Sequence, residues 1–456
     1  MLVIKHINEP KPNPNPNPNP TDSCLYFISL CLYAENCNLS SAENMSQTME
    51  PGPQPLILQQ GKNHLPHDVV LNILARLPVK SLLRFRCVCK LWDSSITSPN
   101  FISTHLSIVN NNNDDDHAYL IQTCIQYFSC KIPTICKVLC CDRTFDSLFE
   151  YSVPSVFDLY LSEMVGSCNG LVCLAQRVKL STASDAIYLW NPSIRKFKRL
   201  PDSCSNGQDF GFSTGFVYLS KTNDYKVVKL WGTPVVAEVY TLSSDSWRKV
   251  EIWLRSKVVV SGIEPSLSPL FFSGALNWIA YHSEGEVEFQ DPTMILSFDI
   301  DNEKFGEMAL PAGDKLSEHS LFVFKGNLAF ISCGYPENDD DLQSDSLCFI
   351  WVMRDYGVDE SWNKLFSIRS ENADIIFYGC TEHGELLLDK KVKEESKYGE
   401  IKIDESMILS DDTAIVSLDP ETLHEKDLGI LRYVTNIVTT FKESLVLLDG
   451  ATELPG

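Results

Sequence analysis

The sequence predicts a multidomain α+β chain: a small three-helix module, then a large all-β domain built from about six repeated units. Three observations carry this reading. Apolar residues recur at helical spacing between Val69 and Ile96. From about His117 the chain changes to short runs rich in Val, Ile, Phe, Tyr and Trp, divided by polar clusters such as Ser243-Ser244-Asp245-Ser246. Within that region a strand–turn–apolar pattern recurs, with steps of 50, 58, 53 and 65 residues between Trp190, Tyr240, Phe298, Trp351 and Val416.

The helical module comes first in the argument. Asp68 is a candidate N-cap, and Val69, Val70, Ile73, Leu74 and Leu77 form one apolar stripe behind it. Pro78 ends that helix, because the residue before a proline disfavours the α region. A second helix carries Leu82, Leu83, Phe85 and Val88; a third carries Trp92 and Ile96 and stops before Pro99. A segment of about 32 residues cannot bury so many large side chains by itself, so the module wants a partner. Its charge supports this. Arg76, Lys80, Arg84, Arg86 and Lys90 outnumber Asp68 and Asp93, although the whole chain carries 38 basic and 60 acidic residues, a net −22. A basic module on an acidic chain attracts a partner with an acidic surface.

The same net charge argues against a sequence-independent nucleic-acid surface. Sixteen cysteines are scattered along 456 residues, and Cys87, Cys89, Cys173, Cys333 and Cys348 lie in apolar runs. Such cysteines are expected as free thiols in a reducing compartment, cytoplasm or nucleus. The uncharged apolar run Leu25 to Tyr33 is too short to span a bilayer and follows a Pro-Asn repeat rather than a basic segment, so neither a membrane span nor a signal peptide is expected. The sequons at Asn38 and Asn44 then carry no meaning.

Four segments are expected along the chain. Residues 1–60 contain the alternating Pro-Asn tract, cannot build a core and are expected to be disordered; with Met45 and Met49 just ahead of the ordered part, residues 1–48 are expected to be dispensable or a start-site artefact. Residues 61–106 hold the helical module, and 107–117 form a polar, acidic linker around Asn110 to Asp116. Residues 118–452 form the β domain. There Trp190 and Phe197, Tyr240 and Trp247, and Phe298 and Phe305 are each seven apart, with Val416 and Leu423 as a weaker copy and Trp351 and Trp362 flanking a longer one. Each copy reads as a hairpin with a packed corner, and a period near 50 residues matches a kelch-like propeller blade. A strand at Tyr119–Cys124 would close the ring against strands near Ser444–Leu448, removing exposed sheet edges. Two stacked β-sandwiches are the alternative.

No catalytic group is expected. Gly211-Phe-Ser213-Thr-Gly215 fits the G-x-S-x-G nucleophile elbow, but that motif needs a helix after it, and Phe-Val-Tyr-Leu-Ser followed by Tyr225-Lys-Val-Val-Lys reads as strands; a loop turn is expected. Cys124, Cys130, Cys136, Cys140 and Cys141 match no zinc spacing and read as packing. The acidic run from Asn338 to Asp345 lacks the glycine and twelfth-position glutamate of a calcium loop. No metal or cofactor is expected.

Two family resemblances sharpen the reading. Leu65-Pro66, Asp68, Ile73-Leu74, Leu77-Pro78, Val79-Lys80-Ser81-Leu82 and Val88-Cys89-Lys90-x-Trp92 resemble the F-box, the adaptor-binding module of cullin-type ubiquitin ligases. His67 and Asn72 depart from the acidic residues common there. The resemblance implies that Leu65, Pro66, Val69, Val70, Ile73, Leu74, Leu77, Pro78, Leu82, Leu83, Val88 and Trp92 bind a Skp1-type adaptor, and through it a cullin–RING scaffold. Leu77→Lys would then bury a charge in the docking face and cost on the order of 2 kcal/mol or more of binding.

Residues of roughly 160–370 resemble the F-box-associated domain of plant F-box proteins, through Gly166-Ser-Cys-Asn-Gly-Leu-Val-Cys173, Leu189-Trp-Asn-Pro-Ser193, Arg195-Lys-Phe197 with Leu200-Pro201, Asp224-Tyr-Lys-Val-Val228, Gly274-Ala-Leu-x-Trp278, Ser297-Phe-Asp299, Glu303-x-Phe305 and Trp351-Val-Met353 with Glu360-Ser-Trp362. Ser273 and Asn277 depart from its usual Asn and His. This resemblance implies a non-catalytic substrate-recognition subunit of a Skp1–cullin–F-box ligase that captures a protein substrate through the β domain. The alternative is a propeller scaffold working without ubiquitin ligation.

Overall fold

The computed structural model describes residues 66–111, 119–124, 135–140, 147–152, 162–176, 186–203, 212–231, 235–254, 258–260, 269–282, 294–313, 316–335, 346–370, 373–392, 414–431, 435–446 and 451–453. The low-complexity segment, Leu65, Cys130, Cys141 and the acidic run 338–345 lie outside them. The chain divides into two compact units, Met1–Ile96 and Thr97–Gly456. No described helix is long and apolar enough to cross a membrane.

The first unit contains α1 (His67–Leu74), α2 (Val79–Phe85) and α3 (Lys90–Ile96). The expected N-cap at Asp68 is not used: Pro66 occupies that position without a side-chain cap, and Asp68 sits in the first helical turn, where a carboxylate complements the helix dipole. Pro78 plays the same role for α2, its carbonyl accepting the amides of Ser81 and Leu82 at 3.0 and 3.2 Å. The third helix stops before Pro99 as expected, but Pro99 itself opens a fourth, α4 (Pro99–Asn111), which runs into the expected linker. Ser98 caps it by accepting the Phe101 amide at 3.3 Å, and proline is well suited to a first helical position.

The second unit is a propeller. Among the described residues its strands form six antiparallel sheets. The second sheet runs β4 (Ser162–Cys168), β5 (Leu171–Gln176), β6 (Ala186–Asn191), β7 (Lys196–Arg199); the third runs β8 (Phe212–Leu219), β9 (Asp224–Trp231), β10 (Val236–Thr241), β11 (Ser246–Val250). In the fourth, a divided first strand, β12 (Val258–Val260) and β13 (Leu270–Phe272), pairs with β14 (Ala275–His282), followed by β15 (Met294–Asp299) and β16 (Lys304–Ala309). The fifth is β17 (Glu318–Phe324), β18 (Asn327–Gly334), β19 (Ser346–Met353) and β20 (Trp362–Ser370); the sixth is β21 (Ala373–Cys380), β22 (Leu386–Val392), β23 (Ala414–Leu418) and β24 (Glu425–Leu431).

The first sheet is composite. β1 (Tyr119–Cys124), β2 (Ile135–Cys140) and β3 (Ser147–Ser152) are joined by β25 (Thr435–Phe441), which pairs with β1 and lies beside both β4 and β21. Closure is therefore made by residues 435–441 and not by the expected Ser444–Leu448. Ser444 and Val446 instead accept hydrogen bonds from Asn191 in the second sheet, and β26 (Thr452–Glu453) then adds to the outer edge of β7. The family-like region ends well before these strands, yet they complete the ring.

The apolar cores lie between neighbouring blades. One joins Leu171, Leu189, Phe216 and Tyr240; the next joins Val228, Val239, Trp278 and Phe298; further on, Phe330 and Trp351 meet Ile279 and Ile295. The seven-residue spacing has a simple cause: Trp190–Phe197, Tyr240–Trp247 and Phe298–Phe305 are directly opposed across hairpins. The weaker copy falls two residues later than expected. Leu418 faces Glu425, while Leu423 is an exposed turn residue at φ 56°, the position taken by Arg195, Asp245 and Glu303 in the other turns. Trp351 and Trp362 are not opposed either, since Trp351 faces Lys364 and Trp362 faces Met353.

Cys333 and Cys348, expected as free thiols, are opposed on β18 and β19 and joined in a disulfide. Their apolar runs had marked both as packing residues, but only the strand register brings them together.

Candidate docking site

The twelve residues expected to dock an adaptor separate by burial. Leu74, Leu77, Leu82 and Trp92 are 0, 6, 0 and 5 % exposed, so they are already covered without a partner. Trp92 meets Phe85 edge-to-face, ring centroids 5.7 Å apart. Val70, Ile73 and Leu83 are half-buried. Pro66, Pro78, Val69 and Val88 are exposed, the two valines at 42 and 37 %.

Leu91 is more exposed still, at 58 %, and was missed because attention fell on its neighbour Trp92. Adjacent helical residues point about 100° apart, so a buried Trp92 turns Leu91 outward.

Polar contacts order the same unit. Arg86 pairs with Asp93 at 2.8 Å, Arg76 donates to Asn72 at 3.2 Å, and the His67 ring lies 3.4 Å from the Ser95 hydroxyl. Asn72 and His67 thus make local contacts. Arg76, Lys80, Arg84 and Lys90 remain exposed, keeping the basic character read from the sequence.

The second unit offers two different faces. Turns between first and second, and third and fourth, strands are tight: Asn169-Gly170, Ser273-Gly274 and Lys325-Gly326 all have paired positive φ angles, as type I′ hairpins require. The remaining connections are longer in sequence, up to the 21 residues 393–413. Helix α4 lies on the tight-turn face. Its Ile102 and Leu106 pack in the core with Val446 and Ala451, and Asn110 donates to Asn169 at 3.3 Å.

That tight-turn face is tied together by side chains. Asp299 accepts the amides of Asp301 and Asn302 at 3.0 and 2.9 Å, and Asp419 accepts that of Glu421 at 2.9 Å. These bonds hold both carboxyls below the usual range. Lys221–Asp301 and Lys325–Glu421 bridge adjacent blades. Asn277, where the family shows His, is fully buried; it donates to the carbonyls of Leu270 and Ala275 and accepts the Tyr356 hydroxyl at 2.8 Å, joining two blades.

The candidate chemical motifs resolve as structure. Ser213 lies inside β8 rather than in the expected loop turn; β8 leads to another strand, and the serine hydroxyl accepts the Trp278 indole N–H at 3.0 Å. Cys124, Cys136 and Cys140 lie on β1 and β2. Burial pushes the thiols of Cys168 and Cys380 up to about 11 and about 12, while Cys87 is exposed.

With this geometry in place, known proteins supply its context. Residues 63–104 match the family described as F-box domain, and residues 127–398 match the F-box associated beta propeller domain. The chain is 29 % identical over 327 residues to the F-box/kelch-repeat protein At3g23880 of Arabidopsis thaliana, covering 67 % of this chain and 80 % of that one. It is 26 % identical to the F-box protein At3g07870, covering 75 and 87 %, and 25 % identical to the F-box protein CPR1, covering 67 and 73 %, both of the same plant.

Proposed function

The chain belongs to the F-box proteins that carry an F-box associated beta propeller domain, and we propose that it is the substrate-recognition subunit of a Skp1–cullin–F-box ubiquitin ligase. The observation that supports this reading is the pairing, in one chain, of a closed propeller with a separate helical unit that exposes Val69, Val88 and Leu91. Exposed apolar side chains on a basic unit suit an adaptor that is apolar at its contact centre and acidic around it.

In this role the chain transfers nothing itself and uses no cofactor. It binds the adaptor with one unit and a protein substrate with the other, raising the effective concentration of substrate lysines at a charged ubiquitin-conjugating enzyme. Cullin–RING scaffolds work in cytoplasm and nucleus, and the reading assigns the chain to one or both.

The test uses Val69→Glu with Leu91→Glu, both surface positions. The expected outcome is at least about tenfold weaker co-purification with a Skp1-type adaptor at unchanged melting temperature. Wild-type recovery of adaptor by that variant would overturn the ligase reading and favour a propeller scaffold. Leu77→Lys is a poor probe, because Leu77 is only 6 % exposed and its charge would unfold the helices regardless of any partner.

A further inference from the structure

We propose that the outer edge of β11 is a docking strand for an extended, acidic segment of a partner protein. The precedent lies one blade away. β7 reads Lys196-Phe197-Lys198-Arg199, and its outer edge takes β26, with Glu453 directly opposite Lys196 and Thr452 opposite Phe197. β11 is the equivalent fourth strand of the next blade and reads Ser246-Trp247-Arg248-Lys249-Val250. Phe197 faces Trp190 across one hairpin as Trp247 faces Tyr240 across the other, so the two strands align residue for residue. In both, two cations follow the aromatic residue.

The other fourth strands differ: Phe305 is followed by Gly306 and Glu307, Trp362 by Asn363 and Lys364, and β24 begins Glu425-Lys426-Asp427. Among the described residues, no strand pairs with the outer edge of β11.

Trp253, three residues beyond β11, supplies the anchor. Its neighbours Ile252 and Leu254 pack into the core between the third and fourth blades, while Trp253 itself is 84 % exposed. A pinned backbone thus holds a large aromatic outward, beside the end an antiparallel guest would reach. Aromatic anchors dominate binding energy at interfaces, and added strands gain main-chain hydrogen bonds along the edge.

Cations on an edge strand also serve to block pairing. On β7 the acid meets Lys196, a place that Ser246 takes on β11, so on β11 selection for charge falls to exposed Lys249 and to Arg248, which also pairs with Glu303. The chain's net −22 does not defeat this, since at about 0.15 M salt the field of distant charges is screened beyond about 8 Å.

The inference deepens the substrate-receptor reading and rests on it only in calling the guest a substrate segment. It is tested on the whole chain without adaptor, so its failure leaves adaptor binding untouched. The probe is a fluorescent peptide of residues 449–456, Asp-Gly-Ala-Thr-Glu-Leu-Pro-Gly, read by anisotropy at about 0.15 M salt.

Saturable binding is expected, weakened at least about tenfold by Arg248→Glu with Lys249→Glu and by Trp253→Ala. A peptide with N-methylated amides at alternate positions should fail to bind the unaltered chain, a result that does not depend on any variant folding. Binding that survives both the charge reversal and N-methylation would overturn the inference, as would absence of saturable binding up to about 1 mM peptide. Charge reversal without effect would overturn it as well, since the peptide would then sit elsewhere, as in place of the chain's own tail on β7.

Discussion

The Asn191 amide donates to the carbonyl of Val446 at 3.0 Å, across 255 residues of sequence. It also donates to the Ser444 carbonyl at 3.2 Å, while its own oxygen accepts the Ser193 amide at 3.0 Å. One fully buried side chain thus shapes the β6–β7 turn and clamps the segment that crosses from the first blade to the second. Replacing it with alanine leaves buried carbonyls unsatisfied, at about 1–3 kcal/mol each. Asn191→Ala should lower the urea midpoint accordingly, and an unchanged midpoint would rule out the clamp.

Gly170 and Gly274 make a matched pair. Both have φ near +80°, but a Cβ on Gly170 would meet the Ser444 hydroxyl at 2.6 Å and the Lys442 carbonyl at 2.7 Å, whereas one on Gly274 meets nothing within 4 Å. Alanine at Gly274 should cost only the left-handed backbone penalty, about 1–2 kcal/mol. Gly170→Ala should cost clearly more, read as the difference between the two melting temperatures. Equal shifts would show that the crossing segment does not press on this turn.

Ser273 occupies the first place of a type I′ turn at φ 50°, where asparagine is favoured. Ser273→Asn should stabilise the propeller by about 0.5 kcal/mol, a gain typical of such local corrections and visible in chemical denaturation.

Within the helical unit, burial sets apart two leucines, Leu74 inside and Leu91 outside. Leu74→Ala should cost about 2–5 kcal/mol, while Leu91→Ala should stay within about 0.5 kcal/mol of the parent. Limited proteolysis of the unit measures both, and equal sensitivity would contradict the assignment of inside and outside.

Acid should loosen the tight-turn face. Asp245 is held low first by the Tyr240 hydroxyl and then by Lys198; Asp299 by the amide and side chain of Asn302; Asp419 by the amide of Glu421 and the hydroxyl of Thr422. Burial raises Glu303, but Arg248 and Lys226 outweigh it and keep it low. A depressed carboxyl adds stability above its unfolded value and loses it as the pH falls through the folded one. Stability should therefore be level near neutrality and decline as the pH drops below about 4, with no matching decline on the alkaline side from these groups.

How much of this was legible depends on the range of the interaction that decides it. The opposed pairs Trp190–Phe197 and Tyr240–Trp247 were readable because a four-residue turn fixes its own register. The copy near Leu418 slipped because it was aligned on apolar residues; the Asp419 side chain that caps its turn was the better mark. Helix α4 was hidden behind Pro99, a residue that both ends helices and begins them. The Cys333–Cys348 bond and the Asn191 clamp depend on which strands meet, which local spacing does not encode. An apolar stripe names the faces that avoid water, and gives no sign of whether the unit itself or a partner covers Leu74.

The composite first blade also sets an order of events during synthesis. β1 to β3 leave the ribosome about 280 residues ahead of β25, roughly 15–60 s at ordinary elongation rates. For that interval the inner edge of β1 is open to any strand that passes, so nascent chains should need chaperone cover. A message cut short before Thr435 would encode the complete helical unit beside a ring that cannot close. On the proposed ligase function, such a product would occupy adaptors without presenting cargo, and would act as a dominant inhibitor of its own full-length form.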